Sequence, residues 1–199
     1  MEWLQALRYA IAVLVVAIIP LVLAYWYTIH SLAGLWRKLG VATTLAIAGS
    51  LCLVAFATAI YLHSRYMGTL WPFQWWLAAI GAVVLVVAVR IEKQCQRQLA
   101  LSVMVGIPEF DSGKQTQLLT EGIYGRTRNP RYLAILVGML GLALVVNVRA
   151  AYLAWGLFVP GVYLLILLEE RELRQRFGNP YLLYLAAVPR LVPKRRKTI

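Results

Sequence analysis

Three long stretches of this sequence contain no charged side chain: Tyr9–Ile29, Leu39–Leu62 and Leu70–Val89. A helix needs about 20 mostly apolar residues to cross the hydrocarbon core of a bilayer, so each stretch predicts a membrane span. Two shorter apolar stretches follow, Tyr132–Val148 and Ala150–Leu168, with only Arg149 between them. The sequence therefore predicts an all-α integral membrane protein with five transmembrane helices, of which the last two form a tight hairpin.

The composition supports a membrane environment and excludes several other classes. Hydrophobic residues make up 61% of the 199 residues and charged residues 14%, against about 45–50% and about 25% in soluble globular chains. Two cysteines, Cys52 and Cys95, offer neither a disulfide framework nor metal-ligand spacing. The first apolar stretch is longer than the apolar core of a signal peptide, so we expect a retained helix.

The distribution of basic residues predicts the orientation. With the N-terminus outside, only Arg8, Arg65 and Arg149 of the 20 Lys and Arg residues fall on the outer side. The positive-inside rule then places residues 91–131 and 169–199 in the cytoplasm, and we expect the cytoplasmic membrane of a bacterium or archaeon. Two effects explain the net charge of +12: this orientation, and contact of the basic run 194–197 with membrane phospholipid. We therefore expect no nucleic-acid partner.

Two adjacent carboxylates, Glu169 and Glu170, stand where the fifth stretch leaves the membrane. Adjacent side chains on a helix point about 100° apart. One interpretation is an ordinary ion-paired helix, with Glu170 pairing with Arg174 and Glu172 with Arg176 four residues later, whereas Leu173 occupies that place for Glu169. An unpaired acidic residue at the membrane boundary is a candidate functional residue.

The segment 122–132 is dense in Arg, Tyr and Gly and ends at the start of the fourth apolar stretch. Asn129 precedes a proline, which disfavours the helical conformation, and Pro130 suits the first turn of a helix. The segment is either a basic interfacial loop with aromatic anchors or the lid of a polar pocket beside a helix N-terminus, which favours anionic groups. Gly138 and Gly141 are expected to let the hairpin helices approach closely.

Four motifs occur in order along the C-terminal half: Leu118-Leu119-Thr120-x-Gly122-Ile123-Tyr124, Arg128-x-Pro130-x-Tyr132, Glu169-Glu170 and Phe177-Gly178-x-x-Tyr181-x-x-Tyr184-x-x-x-Val188-Pro189-x-x-x-Pro193. This ordered set resembles the isoprenylcysteine carboxyl methyltransferase family, whose relatives include phosphatidylethanolamine N-methyltransferases. The resemblance covers residues 106–193, approximately the C-terminal half of the chain.

The resemblance implies an enzyme that transfers a methyl group from S-adenosyl-L-methionine to a membrane-partitioned lipophilic or lipid acceptor. It implies a three-span anchor over residues 1–90 and a cofactor-binding half over 91–199, within a single structural domain, with a cytoplasmic loop and a C-terminal helical segment covering the cofactor. The implied cofactor contacts are Glu109, Thr116, Gln117, Leu118, Leu119, Tyr124, Asn129, Pro130, Arg131, Tyr132 and Glu169, with Arg128 and Glu170 as additional candidates. It implies no metal, and we assign no catalytic base.

Two departures from the family pattern leave the acceptor open. Asn129 stands where the family has a histidine, and Leu165 stands where the eukaryotic prenylcysteine enzymes have an arginine. A prenylated thiol, a phospholipid amine, a small thiol and other lipophiles remain candidate acceptors. The alternatives are an NADPH-dependent membrane reductase of the sterol-reductase kind and a non-catalytic lipid-binding subunit; the short chain and the Glu169-Glu170 pair favour methyl transfer. Sequence alone does not set the oligomeric state.

Overall fold

The computed structural model describes residues 2–31, 33–68, 70–98 and 118–193, and within these ranges the fold is helical. The helices are α1 (Glu2–Ser31), α2 (Ala33–Leu39), α3 (Val41–Tyr61), α4 (His63–Tyr66), α5 (Trp75–Gln96), α6 (Pro130–Val146), α7 (Arg149–Phe177) and α8 (Asn179–Ala187). The described residues contain no strand, only an isolated bridge between Leu70 and Val148. The predicted all-α class is confirmed.

Four of these helices are long and apolar enough to cross a membrane: α1, α3, α5 and α7. Side chains on their outer faces are apolar, such as Leu53 (68% exposed) and Val83 (65%), as expected for lipid contact. The fourth apolar helix, α6, has 17 residues. At about 1.5 Å per residue it is near 25 Å long, which is shorter than a hydrocarbon core of about 30 Å. Four of the five predicted spans are thus confirmed by length and composition, and the fifth stays a prediction.

The predicted hairpin between the last two apolar helices is present. Only Asn147 and Val148 separate α6 from α7, and Asn147 closes α6 in the left-handed conformation with φ 48°. The Asn147 side chain donates to the Pro72 carbonyl at 3.1 Å and accepts from the Tyr152 hydroxyl at 3.2 Å. Both ends of the Asn147 amide are therefore hydrogen-bonded within the protein.

Arg8 fastens α1 to this hairpin turn. Its side chain is 2% exposed, and Nε and Nη2 donate to the Val146 carbonyl at 3.2 and 2.9 Å. Nη2 also donates to the Trp71 carbonyl at 3.0 Å. A cation at a helix C-terminus is favoured because the last carbonyls are unpaired and the helix dipole is negative there. Arg8 and the hairpin turn therefore lie at the same end of the bundle, the end opposite to where α6 begins.

Small residues bring α5 and α6 into close contact. A Cβ atom on Gly81 would lie 2.7 Å from the Gly141 carbonyl oxygen and 3.0 Å from the Val145 nitrogen. A Cβ on Gly141 would lie 2.9 Å from the Leu85 side chain, and one on Gly138 would lie 3.4 Å from Ala88. The expectation that these glycines serve the hairpin was wrong, because they face α5 instead. α1 packs against α3, α6 and α7.

We expect Gly81→Ala to lower the stability of the folded protein by about 1–3 kcal/mol, because the added methyl group would meet backbone atoms that cannot move aside. Gly156→Ala is the matched control, since it lies in a helix with nothing within 4 Å of the added Cβ, and alanine is preferred there by up to about 1 kcal/mol. Thermal unfolding in detergent measures both. Equal melting temperatures for the two variants would contradict the close contact of α5 with α6.

Candidate functional site

The loop before α6 is joined to the segment after α8 by a short run of hydrogen bonds. The Arg128 N–H donates to the Pro189 carbonyl at 2.9 Å, and the Asn129 N–H donates to the Arg190 carbonyl at 3.2 Å. The Thr127 hydroxyl also donates to the Arg190 carbonyl, at 3.1 Å. These contacts lie at the end of the bundle where α6 begins and α7 leaves the apolar region, so the C-terminal segment closes over this end.

A buried carboxylate, Glu170 on α7, holds this closure together. It is 1% exposed. Arg128 donates to Oε1 from Nε at 3.1 Å and from Nη2 at 2.9 Å, and Arg190 donates to Oε2 from Nη2 at 2.9 Å. The Asn129 amide donates to Oε1 at 3.3 Å. We call Arg128, Glu170 and Arg190 the clamp. The expected pair between Glu170 and Arg174 was wrong, because two guanidinium groups distant in sequence reach the carboxylate where it is buried.

Arg128 also secures the end of α8. Its Nη1 donates to the carbonyls of Leu185 and Val188 at 2.9 and 2.6 Å. One guanidinium therefore satisfies carbonyls at the C-terminal end of α8 together with the Glu170 carboxylate, and its fork of N–H donors suits several acceptors at once.

α8 covers the loop through two buried tyrosines. Tyr181, Tyr184 and Val188 pack with Leu118 and with the end of α7. The Tyr184 hydroxyl donates to the Tyr124 carbonyl at 2.7 Å. Burial raises the pKa of Tyr184 to about 12, so this hydroxyl stays a proton donor at neutral pH. α8 thereby fixes the backbone of the loop that carries Tyr124.

The second carboxylate, Glu169, is placed quite differently. Its Oε2 atom is buried and finds no hydrogen-bond partner among the residues that the structure describes. Tyr124 lies close by: burial, followed by the neighbouring Cys95 thiol and Glu169 carboxylate, raises the pKa of Tyr124, while Arg131 opposes the rise. Cys95, which is fully buried on α5, lies beside Tyr124. Because a buried carboxylate oxygen without a donor is costly, this arrangement suits a cationic ligand.

The structure divides the residues predicted for the cofactor into separate groups. It brings Tyr124, Arg131 and Glu169 together, whereas Asn129 is held within the clamp by Glu170 and the Arg190 carbonyl. The other predicted residues within the described ranges pack around this group. Leu118 packs against α8, and Leu119 is partly buried in the loop. Pro130 is buried as the first residue of α6, and Tyr132 packs against α1 and α7. Arg131 also stacks over the Trp26 ring, with its Cζ 5.5 Å from the centroid. Glu109, Thr116 and Gln117 lie outside the described residues.

Two residues of this region were missed from the sequence. Arg190 stands at an unspecified position of the last motif, between Pro189 and Pro193. Cys95 stands in a polar run with no local partner. Nothing in either position's own neighbourhood signals its role, because Arg190 meets Glu170 and Cys95 meets Tyr124 only after the helices pack.

Comparison with known families identifies the class. The family model described as phospholipid methyltransferase matches residues 76–180, which is more than half of the chain. The chain belongs to the phospholipid methyltransferase family, a family of membrane methyltransferases, and the resemblance seen in the sequence is confirmed at this level. The match contains Cys95, Tyr124, Glu169 and Glu170 and ends before Arg190. No curated protein and no solved structure matches the chain significantly.

We expect Glu170→Gln to destabilise the protein by about 3–5 kcal/mol, because removing one partner of a buried ion pair leaves the other charges uncompensated. Glu121→Gln, in the exposed part of the loop, is the control and should change stability by less than about 0.5 kcal/mol. Thermal or denaturant unfolding in detergent measures the difference. A Glu170→Gln protein as stable as the control would mean that the clamp does not hold this end together.

Proposed function

We propose that this chain transfers a methyl group from S-adenosylmethionine to a lipid acceptor at the end of the bundle that carries Glu169. The observation that supports this most directly is the buried Glu169 Oε2 atom, which has no donor among the described residues and lies near Tyr124. Membership of the phospholipid methyltransferase family supports the type of reaction.

The residues present fit this cofactor. The Glu169 carboxylate would receive the ammonium group through charge-assisted hydrogen bonds. The ring of Tyr124 offers an aromatic face, which attracts a sulfonium cation. Arg131 and the N-terminus of α6, which begins at Pro130, would hold the carboxylate end. When bound, the cofactor supplies an electrophilic methyl group.

The chain's own contribution to the chemistry is positioning, not proton transfer. Glu170 is saturated by Arg128, Arg190 and Asn129, so it is not available as a base. Glu169 is reserved for the cofactor, and Asn129 cannot titrate. Holding the acceptor in line with the methyl carbon removes much of the entropic barrier. An acceptor that is already a nucleophile needs no further help, and an amine would release its proton to solvent.

The acceptor we favour is a lipid without a buried carboxylate. Leu165 stands where the prenylcysteine enzymes have an arginine and is 1% exposed, so it offers no cation to a carboxylate acceptor, and burying such a charge unpaired would be costly. A phospholipid amine meets this condition, in line with the family description.

We further propose that α6 crosses the membrane as the fifth span and that the clamp end is cytoplasmic. Arg8 and Arg149 lie at the opposite end, and most of the basic residues fall on the clamp side. In this arrangement residues 1–90 are the anchor and residues 91–199 the catalytic half of one structural domain, in the cytoplasmic membrane of a bacterium or archaeon.

We expect Glu169→Gln to weaken binding of S-adenosylhomocysteine by at least about tenfold, because the ammonium group loses its charged partner. Its folding stability should equal or exceed that of the wild type, since a buried carboxylate without a donor is replaced by a neutral amide. Tyr124→Ala should abolish binding of S-adenosylhomocysteine, because the aromatic face is lost. Isothermal calorimetry in detergent measures affinity, with unfolding of each variant measured alongside.

Glu121→Gln is the binding control, and NADPH is titrated in parallel. Binding of S-adenosylhomocysteine at the wild-type level by both Glu169→Gln and Tyr124→Ala would exclude the proposed site. Binding of NADPH alone would indicate a reductase. If the folded wild type binds neither NADPH nor S-adenosylhomocysteine, the result would favour a non-catalytic lipid-binding subunit.

We expect the hairpin turn and the end of α7 to label from opposite sides of the membrane. In a Cys52→Ser, Cys95→Ser background, Arg149→Cys should react with a membrane-impermeant maleimide on intact cells, because it lies on the outer side. Arg171→Cys should react only after permeabilisation. Labelling of both from one side would show that α7 does not cross the membrane as proposed.

A further inference from the structure

Arg190 uses only part of its guanidinium for the clamp. Nε and Nη2 donate to Glu170, while Nη1 donates to the Tyr163 hydroxyl at 2.6 Å. A guanidinium carries five N–H groups, so two remain after these contacts. The side chain is 27% exposed, in contrast to Arg128 at 8%. Arg190 is thus a cation with donors directed away from the buried carboxylate.

Its partner Tyr163 lies on an exposed part of α7, a helix long and apolar enough to cross a membrane. Tyr163 is 44% exposed, and the neighbouring Leu164 and Leu167 are 55% and 38% exposed. At about 1.5 Å per residue, Tyr163 is near 21 Å along α7 from Arg149, and Glu170 is near 32 Å. The Arg190–Tyr163 pair therefore spans the last part of a hydrocarbon core of about 30 Å. The Tyr163 oxygen accepts from Arg190, and a hydroxyl that accepts one hydrogen bond can still donate its own O–H to another group.

Two guanidinium groups share one carboxylate at this surface. Arg128 and Arg190 both pair with Glu170, and of the two it is Arg190 that keeps an exposed part and spare donors. A cation at this depth is costly unless an anion or a polar group meets it, and such residues are functional candidates by default. On the helix, Glu169 points about 120° away from Tyr163, so the region assigned to the cofactor lies on a different face of α7.

We propose that Arg190 and Tyr163 bind the phosphodiester of a membrane phospholipid, whose acyl chains lie along the exposed apolar face of α7 at Leu164 and Leu167. The two spare N–H groups of Arg190 and the Tyr163 O–H supply donors to the phosphate oxygens, and the partly exposed Arg190 guanidinium attracts the phosphate charge. The bound lipid is an accessory lipid that supports the clamp from outside, and the acceptor approaches on the Glu169 face. Phospholipid binding by Arg190 and Tyr163 does not depend on the proposed methyl transfer; only the placement of the acceptor on the other face rests on it.

The test is native mass spectrometry of the purified full-length protein titrated with phosphatidylglycerol, phosphatidylcholine or diacylglycerol. Neither phospholipid carries a free amine on a head-group that could accept a methyl group by nitrogen attack, so binding does not report recognition of an amine acceptor. We expect both phospholipids to bind and diacylglycerol, which lacks the phosphate, to bind at least about fivefold more weakly.

Tyr163→Glu should weaken phospholipid binding by at least about fivefold, because the new carboxylate neutralises Arg190 and repels phosphate. Tyr163→Phe keeps the ring beside Arg190 and should weaken binding about two- to threefold through loss of one donor; it decides the question if Tyr163→Glu does not fold. Arg171→Gln removes an exposed arginine on the same helix and should change binding by less than about twofold.

Equal binding of diacylglycerol and phospholipid, or wild-type binding by Tyr163→Phe together with Tyr163→Glu, would overturn the proposal. Loss of binding as large in Arg171→Gln as in Tyr163→Glu would also overturn it, because the attraction would then be a general effect of charge. S-adenosylhomocysteine binding should be unchanged in Tyr163→Phe, so failure of the lipid site and failure of the cofactor site are distinguished by separate measurements.

Discussion

The two-arginine clamp on Glu170 is the interaction on which the site depends. It joins three parts of the chain that are far apart in sequence: the loop at Arg128, the end of α7, and the segment at Arg190 after α8. A buried ion pair is stable only when its charges and remaining donors are satisfied. The three parts therefore assemble cooperatively, because loss of one leaves the charges of the others unpaired. The backbone bonds from Arg128 and Asn129 to residues 189 and 190 reinforce the same closure.

A second carboxylate, Glu169, stands directly beside the clamp. It has a buried oxygen without a donor among the described residues, which is costly. The positive charge of Arg131, which acts on the nearby Tyr124, offsets only part of that cost. Helix geometry separates the two carboxylates by about 100°. Glu170 is therefore structural, and Glu169 is the carboxylate that we propose for the cofactor.

The two ends of the bundle are built for different tasks. At the hairpin end, Arg8 and Asn147 satisfy the carbonyls of a helix terminus and the segment before α5, and this polar network is closed upon itself. At the clamp end, Tyr124, Arg131 and Glu169 converge, and Arg190 donates to the exposed Tyr163 hydroxyl. The close contact of Gly81 with Gly141 fixes α5 against α6 and so positions Cys95 behind Tyr124.

The sequence by itself determined the helical class, four membrane-length helices, the hairpin at Arg149 and the family, because apolar length, charge and ordered motifs are local properties that one chain displays directly. It also marked Glu169 as the carboxylate without a helical partner. Only the tertiary structure decided that Glu170 pairs with Arg128 and Arg190 and not with Arg174, and that the glycines of α6 face α5. The physical reason is that a buried charge is satisfied by whichever donors packing brings to it, and sequence spacing predicts only the neighbours one helical turn away.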